Sequence, residues 1–304
     1  MIKINKNLIF SYKKPPLLIA EISGNHGGNK KRFLQLIKSA CLNGADLVKI
    51  QTYEPQDITL NQKKRSFIIK SGIWKNRYLW DLYKKACTPF SWHKDAFKIA
   101  KKYNKVLFSS PFSIRAVELL EKLGCKLYKI ASFEITDLKL INHIASKKKP
   151  IIISTGMASK KEISIALKVI RKHHNKIIIM HCVSSYPTKL EDIDLQRINK
   201  LKRQFQTNLI GLSDHTNDIS SSLISLTYGV VAIEKHYKID NKFKTADSTF
   251  SITPNEFLKL KKNSLSIFKS FTKKDKKAER ISFKLRRSIF AKKNILKNSK
   301  LSNE

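Results

Sequence analysis

The chain of 304 residues contains no run of about 18 apolar residues, the length that a membrane-spanning helix requires. Its N-terminus, MIKINKNLIF, also lacks the apolar region and the small-residue cleavage site of a secretory signal. We therefore expect a soluble, cytoplasmic protein with no membrane partner.

Cysteine is scarce, and its four residues show no CxxC spacing. This argues against both a zinc–thiolate site and a disulfide framework. We expect reduced thiols in the core at Cys41, Cys87, Cys125 and Cys182.

Acidic residues are few: 23 Asp and Glu stand against 61 Lys and Arg, which gives a net charge of +38. Such a charge raises the question of nucleic-acid binding. The basic residues are mostly lysines spread over almost every predicted helix face, and no zinc finger, RNP motif or basic zipper is present. We expect no specific nucleic-acid partner, although the positive field would concentrate an anionic substrate.

Eight short β-branched runs alternate with longer amphipathic segments. Helical periodicity is seen over residues 31–42, 115–123, 160–171 and 219–227. Near-continuous apolar strands alternating with helices predict an α/β fold with a parallel sheet, and eight such units predict a (β/α)₈ TIM barrel. The predicted strands are 17–22, 46–52, 105–111, 127–132, 150–155, 177–185, 209–215 and 230–236.

Three regions depart from this repeat. Residues 54–104 are too long for one helical crossover and are predicted to form an insertion over the barrel mouth, carrying Trp74, Trp80 and Trp92. Thr253 to Glu256 resembles a capping box, which predicts a last helix ending near Lys269. We expect a barrel domain at 1–271, a charged linker at 272–285, and a tail at 286–304 with a short strand at 288–291.

Polar or ionisable residues end all eight predicted strands. Because the carboxyl ends of barrel strands converge on one face, these residues should form an active site. His215 and His236 end neighbouring strands and could bind one divalent ion such as Mn²⁺ or Zn²⁺. Alternatively, each only makes hydrogen bonds at the barrel rim. His26, in a glycine-rich loop, is a weaker third candidate, and a substrate or structural role suits it equally.

Lys49 and Lys129 lie within otherwise apolar strands, where lysine is rare unless it is paired or lines a cavity. Together with the hydroxyl groups of Ser132, Ser154, Ser184 and Ser213, they could bind a phosphate or carboxylate. The alternative is that the lysines point outward, against helix ends. Glu21 and Glu134 are acid/base or hydroxyl-binding candidates, unless they only form salt bridges to the lysines.

Taken together, eight ordered segments between residues 19 and 240 resemble the sialic acid synthase family: IAEISGNHGG, LVKIQTY, FSSPF, YKIASFEITD, IISTGMAS, HCVSSYP, GLSDHT and IEKHYKID. The resemblance extends over about residues 15 to 300. The family condenses phosphoenolpyruvate with an amino-sugar aldehyde to make nine-carbon nonulosonic acids. It implies a carbon–carbon bond forming transferase in which a metal polarises the aldehyde, C3 of phosphoenolpyruvate attacks it, water adds at C2, and phosphate leaves.

The resemblance also implies roles for individual residues. His215 and His236 would ligate the metal, usually Mn²⁺, with Mg²⁺ or Co²⁺ as alternatives. Ser184 departs from the family, which often has Asn at this position. The resemblance therefore does not decide whether Ser184 contacts the phosphate. The implied catalytic residues are Glu21, Lys49, Lys129 and Glu134, and the implied substrate contacts are Gln51, Ser110, Ser132, Ser154, Ser184, Tyr186, Ser213 and Asp247.

Within the family, three segments most resemble the pseudaminic acid synthase branch: residues 79–97, 131–137 and 246–257. The implied substrates are phosphoenolpyruvate and 2,4-diacetamido-2,4,6-trideoxy-L-altrose. Three alternatives remain open: an N-acetylneuraminate or legionaminic acid synthase, a metal-dependent or phosphate-dependent aldolase on the same fold, and a basic nucleic-acid-binding protein.

The family also implies a homodimer completed by a small C-terminal antifreeze-like (SAF) domain. Residues 286–304 would be the start of that domain. We therefore expect the domain to be absent or truncated in this sequence, which leaves dimerisation open.

Overall fold

A computed structural model of the protein describes residues 1–271 and 279–300. The chain divides into two units, Met1–Lys269 and Ser270–Glu304. In the first unit, a short antiparallel pair of strands, β1 (Ile2–Lys3) and β2 (Ile9–Phe10), precedes the main sheet. Among the residues described, no helix is both long enough and apolar enough to cross a membrane.

The main sheet is a closed barrel of eight parallel strands, which confirms the predicted (β/α)₈ architecture. Its strands follow one another around the barrel in chain order, and the last one pairs with the first. They are β3 (Leu17–Glu21), β4 (Leu47–Thr52), β5 (Val106–Pro111), β6 (Tyr128–Ile130), β7 (Ile151–Ser154), β8 (Ile177–Cys182), β9 (Ile210–Asp214) and β10 (Ala232–His236).

Nearly every residue of these strands is buried, because side chains on one face fill the barrel and those on the other pack against helices. The described helices are α1 (Lys30–Leu42), α2 (Leu79–Ala86), α3 (Phe90–Lys102), α4 (Ile114–Lys122), α5 (Leu138–Ser146), α6 (Lys160–Arg171), α7 (Arg197–Phe205), α8 (Ser220–Ile224), α9 (Pro254–Phe271) and α10 (Glu279–Phe283).

Local sequence signals account for several helix boundaries. The side chain of Asn29 accepts a hydrogen bond from Arg32 N and begins α1. A capping box of Ser159 and Glu162 begins α6. The carboxylate of Glu256 accepts hydrogen bonds from Thr253 at the start of α9, so the predicted last helix forms and continues to Phe271.

The predicted insertion between β4 and β5 contains α2 and the crossover helix α3. The indole Nε1 of Trp74 donates to the carbonyl of Ala246, 2.9 Å away, and its ring lies 5.6 Å from that of Tyr186. Trp74 therefore does reach the residues that follow the last barrel strand. Trp92 instead packs against Phe33, on the first helix, so that part of the insertion belongs to the helical layer.

Two sequence expectations differ from the structure. The strand predicted at 288–291 does not form, because no described segment of that unit pairs with it. Cys87 is half-buried at the end of α2 and not in the core, although all four cysteines are free thiols. Of the predicted linker and tail, residues 272–278 and 301–304 lie outside the described residues.

Candidate active site

A buried carboxylate, Glu234 of β10, is the hub of the charges inside the barrel. Its oxygens accept hydrogen bonds from Lys49 Nζ at 2.8 Å and from Lys129 Nζ at 2.9 Å. Ser213 Oγ also donates to it at 2.9 Å. Burial by itself would raise the pKa of Glu234, but the two ammonium groups lower it, so the carboxylate is ionised. Both lysines therefore point into the barrel, and not outward against helix ends.

A second carboxylate, Glu21, ends β3 and is fully buried. Its Oε2 lies 3.4 Å from Lys49 Nζ, and neither of its oxygens has a hydrogen-bond partner among the described residues. Burial raises the pKa of Glu21 to about 8, although Lys49 partly counteracts this. At neutral pH the Glu21 carboxyl is therefore mostly protonated. Two lysine charges against the single charge of Glu234 leave the cluster one net positive charge, which suits an anionic ligand.

Several buried hydroxyl groups surround this cluster. The Oγ atoms of Ser110, Ser154 and Ser184 are inaccessible to solvent and make no hydrogen bond within the described residues, and the same holds for Glu134 Oε2. Buried polar atoms in native proteins are almost always hydrogen-bonded. Because these four belong to neighbouring strand ends, a polar ligand or ordered water is the natural partner for them.

Gly156, two residues beyond β7, brings the backbone close to the side chains of Ser132, Cys182 and Ser184. A Cβ atom built there would lie 2.3 Å from Ser184 Oγ, 2.7 Å from Cys182 Sγ and 2.9 Å from Ser132 Oγ. Its backbone N–H donates to Ser132 Oγ at 3.1 Å. Only glycine allows the backbone to approach these groups so closely, so any side chain at this position would displace them.

The rings of His215 and His236 lie side by side, with their centroids 5.3 Å apart. His215 Nδ1 is 2.9 Å from the carbonyl of Val183; since a carbonyl only accepts, this nitrogen carries the hydrogen and Nε2 keeps a free lone pair. His236 Nδ1 is buried and has no partner among the described residues. Burial lowers the pKa of His215 to about 4 and that of His236 well below its ordinary value. Both imidazoles are neutral, the form that binds metals.

This pair fits a divalent cation because two neutral imidazoles, one of them oriented by a backbone carbonyl, are typical metal donors. Across residues 1–271 and 279–300 there is no group of three His, Cys, Asp or Glu side chains placed to share an ion. Further ligands would therefore come from substrate or water. His26 does not add a third ligand to the pair. Its Nδ1 accepts from Gly28 N and its Nε2 contacts Thr88 Oγ1, so both ring nitrogens are used in local hydrogen bonds, which favours a structural role.

Aromatic rings cover the two imidazoles on one side. The ring of Tyr186 lies 4.5 Å from that of His215, and the ring of Phe250 lies 4.7 Å from that of His236. Trp74, from the insertion, contacts both Tyr186 and Phe250. Polar groups on this side are thus shielded from solvent, which strengthens electrostatic interactions there.

Two predicted substrate contacts lie at the edge of the site. Asp247 is buried, and its Oδ2 accepts from Gly24 N at 2.9 Å. Burial raises the pKa of Asp247, and hydrogen bonds from the Ser23–Gly24 turn partly offset the effect. Gln51 is half-buried in β4, with its Cα opposite that of Ser110 in β5.

Lys49 and Lys129 lie within β4 and β6. The other predicted site residues lie near or just beyond the carboxyl ends of barrel strands or in the segment after β10, and the roles of all of them stay predictions. Glu234 was given no role, although its position between Ser213 and two lysines makes it the hub. Strand alternation was the signal that could have found it, since Glu234 and His236 must share a face. Phe250 was also missed, and nothing in its local sequence marks it.

Comparison with known proteins agrees with this arrangement. Pseudaminic acid synthase of Helicobacter pylori is 43% identical over 245 residues, which is 80% of this chain and 72% of that protein. N,N'-diacetyllegionaminic acid synthase of Campylobacter jejuni is 35% identical over 93% of this chain and 87% of its own length. The crystal structure of N-acetylneuraminic acid synthetase from Leptospira borgpetersenii superposes with a TM-score of 0.82 at 27% identity, covering 94% of this chain and 96% of that one.

A family model provides the remaining comparison. The NeuB family matches residues 36–276, which include seven of the eight barrel strands and both imidazoles. The chain belongs to the NeuB family.

Proposed function

We propose that this protein is a pseudaminic acid synthase, a transferase that condenses phosphoenolpyruvate with 2,4-diacetamido-2,4,6-trideoxy-L-altrose and releases phosphate. The observation that carries the proposal is the 43% identity to the Helicobacter pylori pseudaminic acid synthase. Identity to the Campylobacter jejuni legionaminic acid synthase is lower, at 35%. The buried charges and hydroxyl groups supply the chemistry that such a reaction needs.

Phosphoenolpyruvate would bind at the positive cluster. Lys49 and Lys129 supply charge, while Ser110, Ser154 and Ser184 supply the hydroxyl groups that lack partners among the described residues. Gly156 allows Ser132 and Ser184 to keep their positions, because a side chain there would displace them. In a buried site, such preorganised donors stabilise phosphate charge far more strongly than water-exposed ones.

The sugar would bind on the side of the imidazoles and the aromatic rings. When bound, a divalent cation, for which we propose Mn²⁺, would supply Lewis-acid polarisation of the aldehyde oxygen. His215 and His236 would hold it, while Asp247 and Tyr186 would orient the sugar. Shielding by Phe250 would keep bulk water away from the reacting carbons.

The two buried carboxyl groups would move the protons. C3 of phosphoenolpyruvate bonds to the aldehyde carbon, whose oxygen takes up a proton; water then adds at C2 and gives up a proton before phosphate leaves by C–O cleavage. Burial raises the pKa of Glu134 to about 7 and that of Glu21 to about 8. General acids and bases work best when their pKa lies near the working pH, so this pair suits one donation and one abstraction.

We propose the cytoplasm as its compartment, because the four cysteines are free thiols.

The test is phosphate release from phosphoenolpyruvate in the presence of Mn²⁺, comparing the trideoxy-altrose sugar with N-acetylmannosamine and the legionaminic acid precursor. Metal-dependent release with the altrose sugar alone supports the proposal. Preference for another sugar keeps the chain in the family and overturns the substrate. Replacing His236 with Ala should abolish metal-dependent turnover, and full activity in that variant would remove the proposed metal role.

A further inference from the structure

A second ion pair lies directly behind the two imidazoles, on the outer face of the barrel. Lys235 and Asp214 are paired residues in the registers of β10 and β9. Because side chains alternate along a strand, each of them separates two residues that face inward. Lys235 immediately precedes His236, and Asp214 immediately precedes His215.

This pair is fully buried, and its hydrogen-bonding capacity is used. Lys235 Nζ lies 3.1 Å from Asp214 Oδ2 and donates to Thr216 O at 2.6 Å and to Thr216 Oγ1 at 3.2 Å. Asp214 Oδ1 accepts from the N–H and the hydroxyl of Thr216 at 2.8 and 2.7 Å, and Oδ2 accepts from Ser222 Oγ at 2.5 Å. An apolar pair of similar volume is often as stable as a buried ion pair. Stability alone therefore gives no reason for these charges.

Lys235 instead holds the chain on both sides of His215, since it pairs with the side chain of Asp214 before it and donates to the carbonyl of Thr216 after it. The carbonyl of His215 accepts from Thr188 N at 2.9 Å, and its Nδ1 donates to Val183 O at 2.9 Å. With backbone and ring both held, the free Nε2 of His215 has one direction available. Partners that hydrogen-bond a ligating imidazole directly typically change metal affinity about 10–100-fold when they are removed, and we expect the same range for a pair that holds the imidazole through the backbone.

We propose that the Lys235–Asp214 ion pair is a positioning device that fixes the His215 imidazole relative to His236, so that the two can bind one divalent cation. The inference rests on the proposed function for the metal itself, but it concerns residues that touch neither metal nor substrate. Because the ion pair joins β9 to β10, it fixes the position of one strand end relative to the other. Separate contacts on each strand would not do so.

The experiment measures Mn²⁺ affinity from the electron paramagnetic resonance signal of free Mn²⁺ in titrations of the whole chain. K235M should bind Mn²⁺ about 10–100-fold more weakly. T216V keeps both charges and removes one hydroxyl that contacts Lys235, so it should bind less weakly than K235M but more weakly than wild type. The matched control is K261M, which breaks the half-buried pair of Lys261 with Asp46, 2.6 Å apart at the start of β4. K261M should lose stability and keep its Mn²⁺ affinity.

A second readout needs no metal. Nitrogen-15 NMR of labelled histidines reports which ring nitrogen of His215 carries the hydrogen, and the wild type should show Nδ1–H. In K235M that resonance should shift towards a mixture of tautomers, while K261M should match the wild type. If K235M does not fold, the same tautomer measurement is made on T216V.

The possible outcomes separate this inference from the function on which it rests. Weaker Mn²⁺ binding together with a disturbed His215 tautomer supports the positioning role. Unchanged affinity and an unchanged tautomer in folded variants overturn it and leave the proposed function standing. A wild-type chain that takes up no Mn²⁺ overturns the metal site and, with it, the purpose assigned to the ion pair.

Discussion

Glu234 is the counter-ion of two buried lysines, so replacing it with glutamine tests the electrostatic account of the site. The introduced amide keeps an oxygen that accepts one hydrogen bond, but Lys49 and Lys129 lose the charge that now lies 2.8 and 2.9 Å away. Breaking a buried ion pair costs about 3–5 kcal/mol, and the retained acceptor places E234Q near the lower end. For a domain of this size we expect a melting temperature lower by about 6–12 °C.

Burial lowers the pKa of Lys129 to about 8 even with Glu234 beside it, so without that charge Lys129 needs another anion to stay protonated. Added phosphate can supply that charge and should therefore stabilise E234Q more than wild type. A ligand that binds only the folded state adds about 1.4 kcal/mol when its concentration is about tenfold above its dissociation constant. Scanning calorimetry with and without inorganic phosphate measures both effects. The melting temperature of E234Q should be lower than that of wild type without phosphate and should rise more when phosphate is added.

The matched control is E118Q. Glu118 pairs with Lys147 at 2.6 Å, but its side chain is 47% exposed, so the control should leave the melting temperature nearly unchanged and insensitive to phosphate. An E234Q protein as stable as the control, or one that gains less from phosphate than wild type, would refute the view that Glu234 balances an anion-binding cluster.

Three further predictions follow from the structure. Burial lowers the pKa of His26 and His93 from 6.5 to about 4. As the pH falls, both histidines therefore take up protons in the unfolded chain before they do so in the folded one. The free energy of unfolding should fall by about 3 kcal/mol per histidine as pH drops from about 6.5 to 4. Urea titrations across that range measure the slope, and H93Q should make it shallower; an identical slope in H93Q would contradict the assignment. G156A places a methyl group 2.3 Å from Ser184 Oγ, so it should displace Ser184, raise KM for phosphoenolpyruvate at least about tenfold and cost about 1–3 kcal/mol of stability. An unaltered KM would show that phosphoenolpyruvate binding does not depend on the position of Ser184. DNA binding measured by fluorescence anisotropy should be weak and should vanish with modest added salt, because the charge of +38 lies in scattered lysines; tight binding at physiological salt would instead favour the nucleic-acid alternative.

The barrel architecture could be predicted from the order of residues alone. Each barrel strand is a short run of β-branched residues that local pattern identifies, and strand order follows from the right-handed βαβ rule, so alternation alone predicts closure. The sequence also predicted where the candidate site lies, because parallel strands bring their carboxyl ends to one face. For that reason Lys49, Ser154 and His215 could be placed together before their contacts were known. The tail was different: the apolar run at 288–291 resembles a strand, but a strand needs a partner to pair with.

Which charges meet inside the barrel depends on the folded structure and could not be predicted. Lys49 and Glu234 are 185 residues apart and Lys129 and Glu234 are 105 apart, and no local pattern specifies such distances. The inward or outward direction of Glu234 and Lys235 depends on the pleat of β10, which one residue of register would reverse. Glu234 therefore balances the charge of two lysines where we propose that an anion binds. Lys235, although adjacent in the chain, lies on the outer face, where we propose that it positions the His215 imidazole.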